Sequence, residues 1–403
     1  MSDLTPQRDA GFGTRAIYAA TTPPVVRQAA NSVPIYQSVT FSAEDAAELG
    51  DILADRRPGY AYARSGNPTA NAMSDAFATL HRAEAGFSFG SGMAAIHATL
   101  ISLLSAGDRL VSTRAVYGST RGLMSTVLTR FGVDVAFVDA TDIDAVDVAL
   151  TARTRVLYLE TISNPTLVVG DLARLTALAH RKGVVVVVDN TFASPYLCRP
   201  IELGADLVVE SCTKWIGGHS DVLAGAVAGS AEQVAAIRGV EIETGGIVAP
   251  FAAFLVLRGM ETLHVRMDRH SENALALAVE LEAHREVRRV AYPGLTSHPQ
   301  AEVARRQLRL GGGMLAFDLG ERAAAAAFID HLRLAPLTAS LGSIQTMAVH
   351  PPSSTHRQLD DAELAEAGIA QGMVRVSVGL EDIEDLLADF RTALHAARAA
   401  VPA

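Results

Sequence analysis

Between about residues 70 and 230, short apolar runs alternate with stretches in which apolar residues recur every three or four positions. The runs are FSF (87–89), RLVST (109–113), VAFVD (135–139), VLYLE (156–160), VVVVVD (184–189), DLVVES (206–211) and GAVAG (225–229). Runs this short and this apolar predict strands buried on both faces, as in a mostly parallel sheet covered by helices. DLARLTALAHRKG (171–183) carries the helical spacing and predicts a helix closed by Gly183. Residues 1–60 lack sustained periodicity and scatter Pro and Thr (TTPPVV, NSVPIYQSVTF), which predicts an extended N-terminal arm. Beyond about 250, one long helical stretch runs from Phe251 toward Ala283, with the polar RMDRHSENA inside it. YPGLTSHP (292–299) then reads as a turn, and GGMLAFDLG (312–320) and MVRVSVGLED (373–382) as strands. The expected architecture is α/β: an arm over 1–60, an α/β domain over 61–255 and a smaller α+β domain over 256–403.

Composition narrows the class. The chain has 403 residues, 49% hydrophobic and 19% charged, which excludes a disordered or fibrous polymer. A formal net charge of −10 argues against nucleic acid or an anionic membrane surface as partner. No apolar run approaches the roughly 18–20 residues needed to span a bilayer. MSDLTPQRDAGFGTR lacks the apolar core of a signal peptide. Two cysteines, Cys198 and Cys212, make neither a disulfide framework nor a metal-binding pair, and no His, Cys and acid cluster has metal-ligand spacing. The expectation is a cytoplasmic protein without a metal. Of its 34 basic residues, only Lys182 and Lys214 are lysines. Lysine becomes a nucleophile when its pKa is lowered, whereas arginine does not.

In open α/β sheets ligands bind beyond the carboxyl ends of the strands, so the residues after each run are the candidates. After FSF, Gly90, Ser91 and Gly92 open a helix near Met93. That is either an ordinary tight turn or a set of backbone N–H groups offered to an anion such as phosphate. After VLYLE, Asn164 lies on a loop ahead of Pro165; after VVVVV stand Asp189, Asn190 and Thr191. The Asp189 carboxylate either caps a helix or pairs with a protonated ligand nitrogen. After DLVVE come Ser211, Thr213 and Lys214, then the flexible Gly217–Gly218. Lys182 sits at a helix end, where its charge complements the dipole, so Lys214 remains as the reactive amine. A lysine flanked by hydroxyls, an anion-binding turn and an acid at a neighbouring strand end are what a pyridoxal phosphate site requires. Taken singly, Arg375 also reads as a surface partner of Glu381 or Asp382, and Tyr62 and Tyr117 as half-buried aromatics.

DLVVESCTKWIGGHS (206–220) resembles the signature of the Cys/Met-metabolism (trans-sulfuration) family of pyridoxal phosphate enzymes. The likeness continues through YAYARSGNPT (60–69), GSGMAAI (90–96), AVYGST (115–120), ETISNPT (160–166) and VVDNTFASPYLCRPIELGADLVVES (187–211). It extends to RMDRH (266–270), SLGSIQT (340–346), HPPSSTH (350–356) and VRVSVGLED (374–382). The resemblance implies an aspartate-aminotransferase-like, fold type I large domain followed by a smaller C-terminal α+β domain. It implies that Lys214 carries the cofactor and moves protons, that Asp189 pairs with the pyridine nitrogen, and that Tyr117 stacks on the ring and assists the leaving group. Gly92 and Met93 amides with the Ser211 and Thr213 hydroxyls would hold phosphate. Tyr62 and Arg64 would reach the same phosphate from a neighbouring subunit, which implies a homo-oligomer, a dimer of dimers. Asn164 and Thr191 would line the ring, and Arg375, helped by Ser340, would hold the substrate carboxylate.

The shared chemistry allows elimination or replacement at Cγ of an amino acid. FGVDVAFVDATD (131–142) and RGMETLHVRMDRHSENA (258–274) are most similar to methionine γ-lyases. Ser119 stands where those enzymes usually carry cysteine, and Ala339 where cystathionine γ-lyases often carry glutamate. γ-Elimination from methionine or a close thioether ranks first. γ-Replacement on an O-acylhomoserine (sulfhydrylase or cystathionine γ-synthase), cystathionine γ-lyase activity and a non-catalytic cofactor-binding role follow.

Overall fold

The computed structural model describes residues 29–357 and 359–399, so residues 1–28 of the expected arm lie outside it. All seven apolar runs form strands: β1 (Ala85–Phe89), β2 (Arg109–Thr113), β3 (Asp134–Val138), β4 (Thr154–Glu160), β5 (Val185–Asp189), β6 (Leu207–Glu210) and β7 (Gly225–Gly229). They make one sheet in the order β1-β7-β6-β5-β4-β2-β3. From β6 to β3 every neighbour is parallel; β7 alone runs against its neighbours β1 and β6.

Side chains alternate across the pleat, so a strand buried on both faces needs apolar residues at every position. Val186 and Val188 of β5 join Leu157, Leu159 and Val208 in one core, against Leu172, Leu175 and Leu178 of the helix Leu172–Arg181. Val187 faces the other way, with Val156, Tyr158, Leu207 and Val209, against Ala95, Ile96 and Leu100 of the helix Gly92–Leu103. Each such side chain contributes about 1.5–3 kcal/mol of burial. The helix ends carry the expected signals: Asp171 accepts from the Arg174 amide, and Gly183 leaves the helix with φ +69°.

A second sheet holds β8 (Arg289–Ala291), β9 (Met314–Asp318), β10 (Met347–Val349) and β11 (Met373–Ser377) in the order β10-β11-β9-β8, antiparallel throughout. Its core joins Phe317 and Val376 to Leu277 and Leu281 of the helix Leu263–Ala283 and Phe390 of the helix Ile383–Ala399.

Three expectations change. The 1–60 stretch contains a helix, Ala46–Leu53, started by Asp45, whose side chain accepts from the Glu48 amide. The long helix after 250 is two, Pro250–Glu261 and Leu263–Ala283, broken at Thr262. At the break Arg266 donates to the Gly259 carbonyl (2.5 Å) and Thr262 Oγ1 (3.1 Å). Strands β8 and β10 escaped notice because three residues are too few to show a period. Among the described residues no helix is long and apolar enough to cross a membrane.

Candidate active site

Parallel strands bring their carboxyl ends together, and there a cavity of about 320 Å³ opens between the large sheet and the second one. Glu160 and Asp189 end β4 and β5 as a register pair. The Asp189 carboxylate is 7% exposed and accepts from the Thr191 amide (2.9 Å) and the Tyr158 hydroxyl (3.1 Å). It caps no helix, since the next one, Ser194–Leu197, has no side-chain cap. Burial raises its pKa, and the Thr191 and Tyr158 donors pull the other way. A buried carboxyl facing a cavity is suited to a protonated nitrogen.

The Gly90–Gly92 turn starts the helix Gly92–Leu103, capped by Ser91 Oγ accepting from the Ala94 amide (3.1 Å). The free N–H groups of its first turn border the cavity at Gly92 and Met93. A Cβ at Gly92 would come 2.7 Å from Ser211 Cβ, so only glycine lets this turn close on the one after β6. Ser211 lines the cavity and donates its amide to Thr191 Oγ1 (2.9 Å). Thr213 Oγ1 accepts from the Ala224 amide (3.0 Å). Amides at a helix start beside hydroxyls are the donor set that suits a phosphate, although the Thr213 hydroxyl also donates to the Ala224 carbonyl (3.3 Å).

Lys214 reaches the cavity in the same turn, its Nζ donating to Ser340 Oγ (2.8 Å). Burial, then the Arg375 charge, lowers its amine to about 8, which raises the share of the neutral, nucleophilic form. The turn is braced from behind: Arg266 donates to the carbonyls of Trp215 (2.6 Å) and Ile216 (3.2 Å). Lys182 instead pairs with Asp147 (2.8 Å) and donates to the Leu150 carbonyl. Ser340 has φ +128°, a strained value for a side-chain-bearing residue.

Arg375 lies within β11, 3% exposed. Its Nη1 donates to Asn164 Oδ1 (2.8 Å) and its Nη2 to the Ser340 carbonyl (3.0 Å), while Nε has no partner. The surface pairing with Glu381 is not formed; that carboxylate accepts from the Thr346 amide (2.6 Å) and hydroxyl (2.8 Å). Tyr117 borders the cavity, 42% exposed, and donates its amide to Glu160 Oε1 (2.8 Å).

Eleven of the thirteen residues singled out thus meet at one cavity: Lys214, Tyr117, Gly92, Met93, Asn164, Asp189, Thr191, Ser211, Thr213, Arg375 and Ser340. Tyr62 and Arg64 do not. Tyr62, 45% exposed, pairs with Thr40 in an isolated bridge, and Arg64 stands 5.9 Å from the Tyr62 ring centroid. Sequence reasoning missed Glu160 and Tyr158. Glu160 ends an apolar strand just as Asp189 does, and the same argument would have found it. Ala339 lines the wall; the exposed Ser119 does not.

An amine, a buried acid, a phosphate cradle and a flanking tyrosine fit pyridoxal phosphate group by group. A profile described as Cys/Met metabolism PLP-dependent enzyme matches residues 13–395. The chain is 43% identical over 389 residues to an L-methionine gamma-lyase of Fusobacterium nucleatum subsp. polymorphum, covering 96% of this chain and 98% of that one. It is 42% identical over 365 residues to a cystathionine beta-lyase of Lactococcus lactis subsp. cremoris, covering 90% and 94%. Among solved structures, a cystathionine gamma synthase of Xanthomonas oryzae pv. oryzae superposes with a TM-score of 0.88 at 38% identity, covering 92% and 94%. The cavity and these likenesses together place the chain in the Cys/Met metabolism family of pyridoxal phosphate-dependent enzymes.

Proposed function

We propose that the protein is a carbon–sulfur lyase that converts L-methionine, or a close thioether, and water into a 2-oxo acid, ammonia and a thiol. The observation that carries this reading is the meeting of Lys214, Asp189, Tyr117 and Arg375 at one cavity, in a chain about 42% identical to methionine γ-lyases. Pyridoxal phosphate, when bound, supplies an electron sink for negative charge at the substrate Cα.

The chain's own residues do the rest. Asp189 keeps the ring nitrogen protonated. Ser211 and Thr213, with the amides of Gly92 and Met93, anchor the phosphate, and Asn164 and Thr191 line the ring. Arg375 holds the substrate α-carboxylate through guanidinium hydrogen bonds, which aims the Cα–H bond. Lys214 Nζ, held at Ser340 Oγ, takes the Cα proton and carries it on. The Tyr117 hydroxyl gives a proton to the departing sulfur.

Tyr62 and Arg64 complete the phosphate site of a partner copy, so the enzyme works as a homo-oligomer, a dimer of dimers. The chain divides into an arm (1–60), a cofactor domain (61–255) and a C-terminal domain (256–403), and it acts in the cytoplasm.

A second reading, γ-replacement by a thiol on an O-acylhomoserine, draws support from the likeness to a cystathionine gamma synthase. The test is 2-oxobutyrate release from L-methionine by the cofactor-loaded protein without added thiol. Release together with methanethiol is expected. No release from an enzyme that still holds its cofactor overturns elimination from methionine, and product from O-acylhomoserine plus thiol would establish replacement.

A further inference from the structure

Glu160 does not belong to the constellation described above, yet it touches both halves of it. Its carboxylate is 8% exposed at the end of β4, beside Asp189. Each oxygen takes a different backbone amide. Oε1 accepts from Tyr117 N (2.8 Å), on the loop after β2, and Oε2 accepts from Asn164 N (3.0 Å), on the loop after β4. The first loop carries the tyrosine ring. The second carries the amide oxygen that receives Arg375 Nη1 at 2.8 Å.

We propose that Glu160 is a positioning residue: by binding the Tyr117 and Asn164 amides together, it sets the separation between the tyrosine that serves the leaving group and the arginine that holds the substrate carboxylate. The proposal rests on the reading that Tyr117 and Arg375 act on the substrate. The chemistry demands a carboxylate in particular. Each amide has a carboxyl oxygen to itself, and a carboxamide would turn its NH2, a donor, toward one of them. Burial, then the neighbouring Asp189 charge, pushes the Glu160 carboxyl well above the usual carboxylate range, and the two amides it positions pull the other way.

Substitution separates positioning from simple support of the fold. In Glu160→Gln one amide keeps an acceptor and the other meets a donor. In Glu160→Asp both acceptors remain but withdraw by one methylene, so this variant carries the test if the first does not fold. Two readouts on the cofactor-loaded enzyme are needed. One is kcat and KM for the amino acid that wild type turns over. The other is the dissociation constant of norleucine, which has no leaving group, followed by the cofactor absorbance.

The expected result is a 10- to 100-fold fall in kcat/KM and weaker norleucine binding, with cofactor content unchanged. The decisive step is a pair of double-mutant cycles. If Glu160 acts through Tyr117, the kcat loss from Glu160→Gln largely disappears in a Tyr117→Phe background. If it acts through Asn164 and Arg375, the norleucine loss largely disappears in an Arg375→Lys background. Losses that multiply independently in both backgrounds overturn the proposal and leave Glu160 a structural tie. Absence of methionine turnover in wild type would sink the elimination reading alone, because the norleucine cycle still reports on Glu160.

Discussion

Arg375 is a buried cation without a carboxylate partner. Two of its nitrogens meet neutral oxygens, on Asn164 and Ser340, and Nε meets none. A charge left this way inside a protein is costly unless a ligand completes it, which supports the proposal that Arg375 takes the substrate carboxylate. Burial lowers its pKa only to about 10, and it stays charged at neutral pH. Lysine would keep the charge and lose the planar fork. Arg375→Lys is therefore expected to raise KM by roughly 10- to 100-fold, the worth of one charge-assisted bond, with a smaller change in kcat; steady-state kinetics decide it. A KM near wild type would mean the substrate carboxylate sits elsewhere. At this scale Lys214 was legible because lysine is so scarce in the chain. The partner of Arg375 was not, since Glu381 is near in the chain while Asn164 is 211 residues away.

Among the elements, the approach of two turns makes the cradle. β7 lies between β1 and β6, so the turns after β1 and β6 come together at the start of β7, on Gly225. Gly92 then rests on Ser211, with no room for a methyl group. Gly92→Ala is expected to push the helix Gly92–Leu103 away from Ser211. It should cost about 1–3 kcal/mol of stability and lower cofactor affinity at least tenfold. Denaturant titration and cofactor titration of the reloaded protein measure the two effects; an unchanged cofactor affinity would remove Gly92 from the phosphate site. The strands of the large sheet were plain in the sequence, because burial on both faces leaves an unbroken apolar run. The break at Thr262 was not, because local spacing does not show that Arg266 reaches back to the Gly259 carbonyl and the Thr262 hydroxyl there.

For the molecule as a whole, two sheets share one site: Lys214 comes from the first, Ser340 and Arg375 from the second unit, and Lys214 Nζ meets Ser340 Oγ across it. Tyr62 and Arg64 remain outside the cavity of their own chain, with Tyr62 exposed, and the proposed partner copy would give them a use. Mixing Tyr62→Ala with Lys214→Ala tests this, because each variant alone should be nearly inactive. After subunit exchange, mixed dimers carry one intact site, so about a quarter of wild-type activity should return. No recovery would place Tyr62 outside the partner's site. The sequence by itself determined the seven strands of the large sheet, the one candidate lysine after β6, the acid at the end of β5 and the family, since local burial and spelled-out motifs are properties of neighbouring residues. Tertiary structure alone decided that Glu160 stands beside Asp189 and that Arg375 answers Asn164 rather than Glu381. Those contacts arise when distant segments bury their apolar faces together, and the polar groups carried inside must then find whichever partners packing has brought within reach.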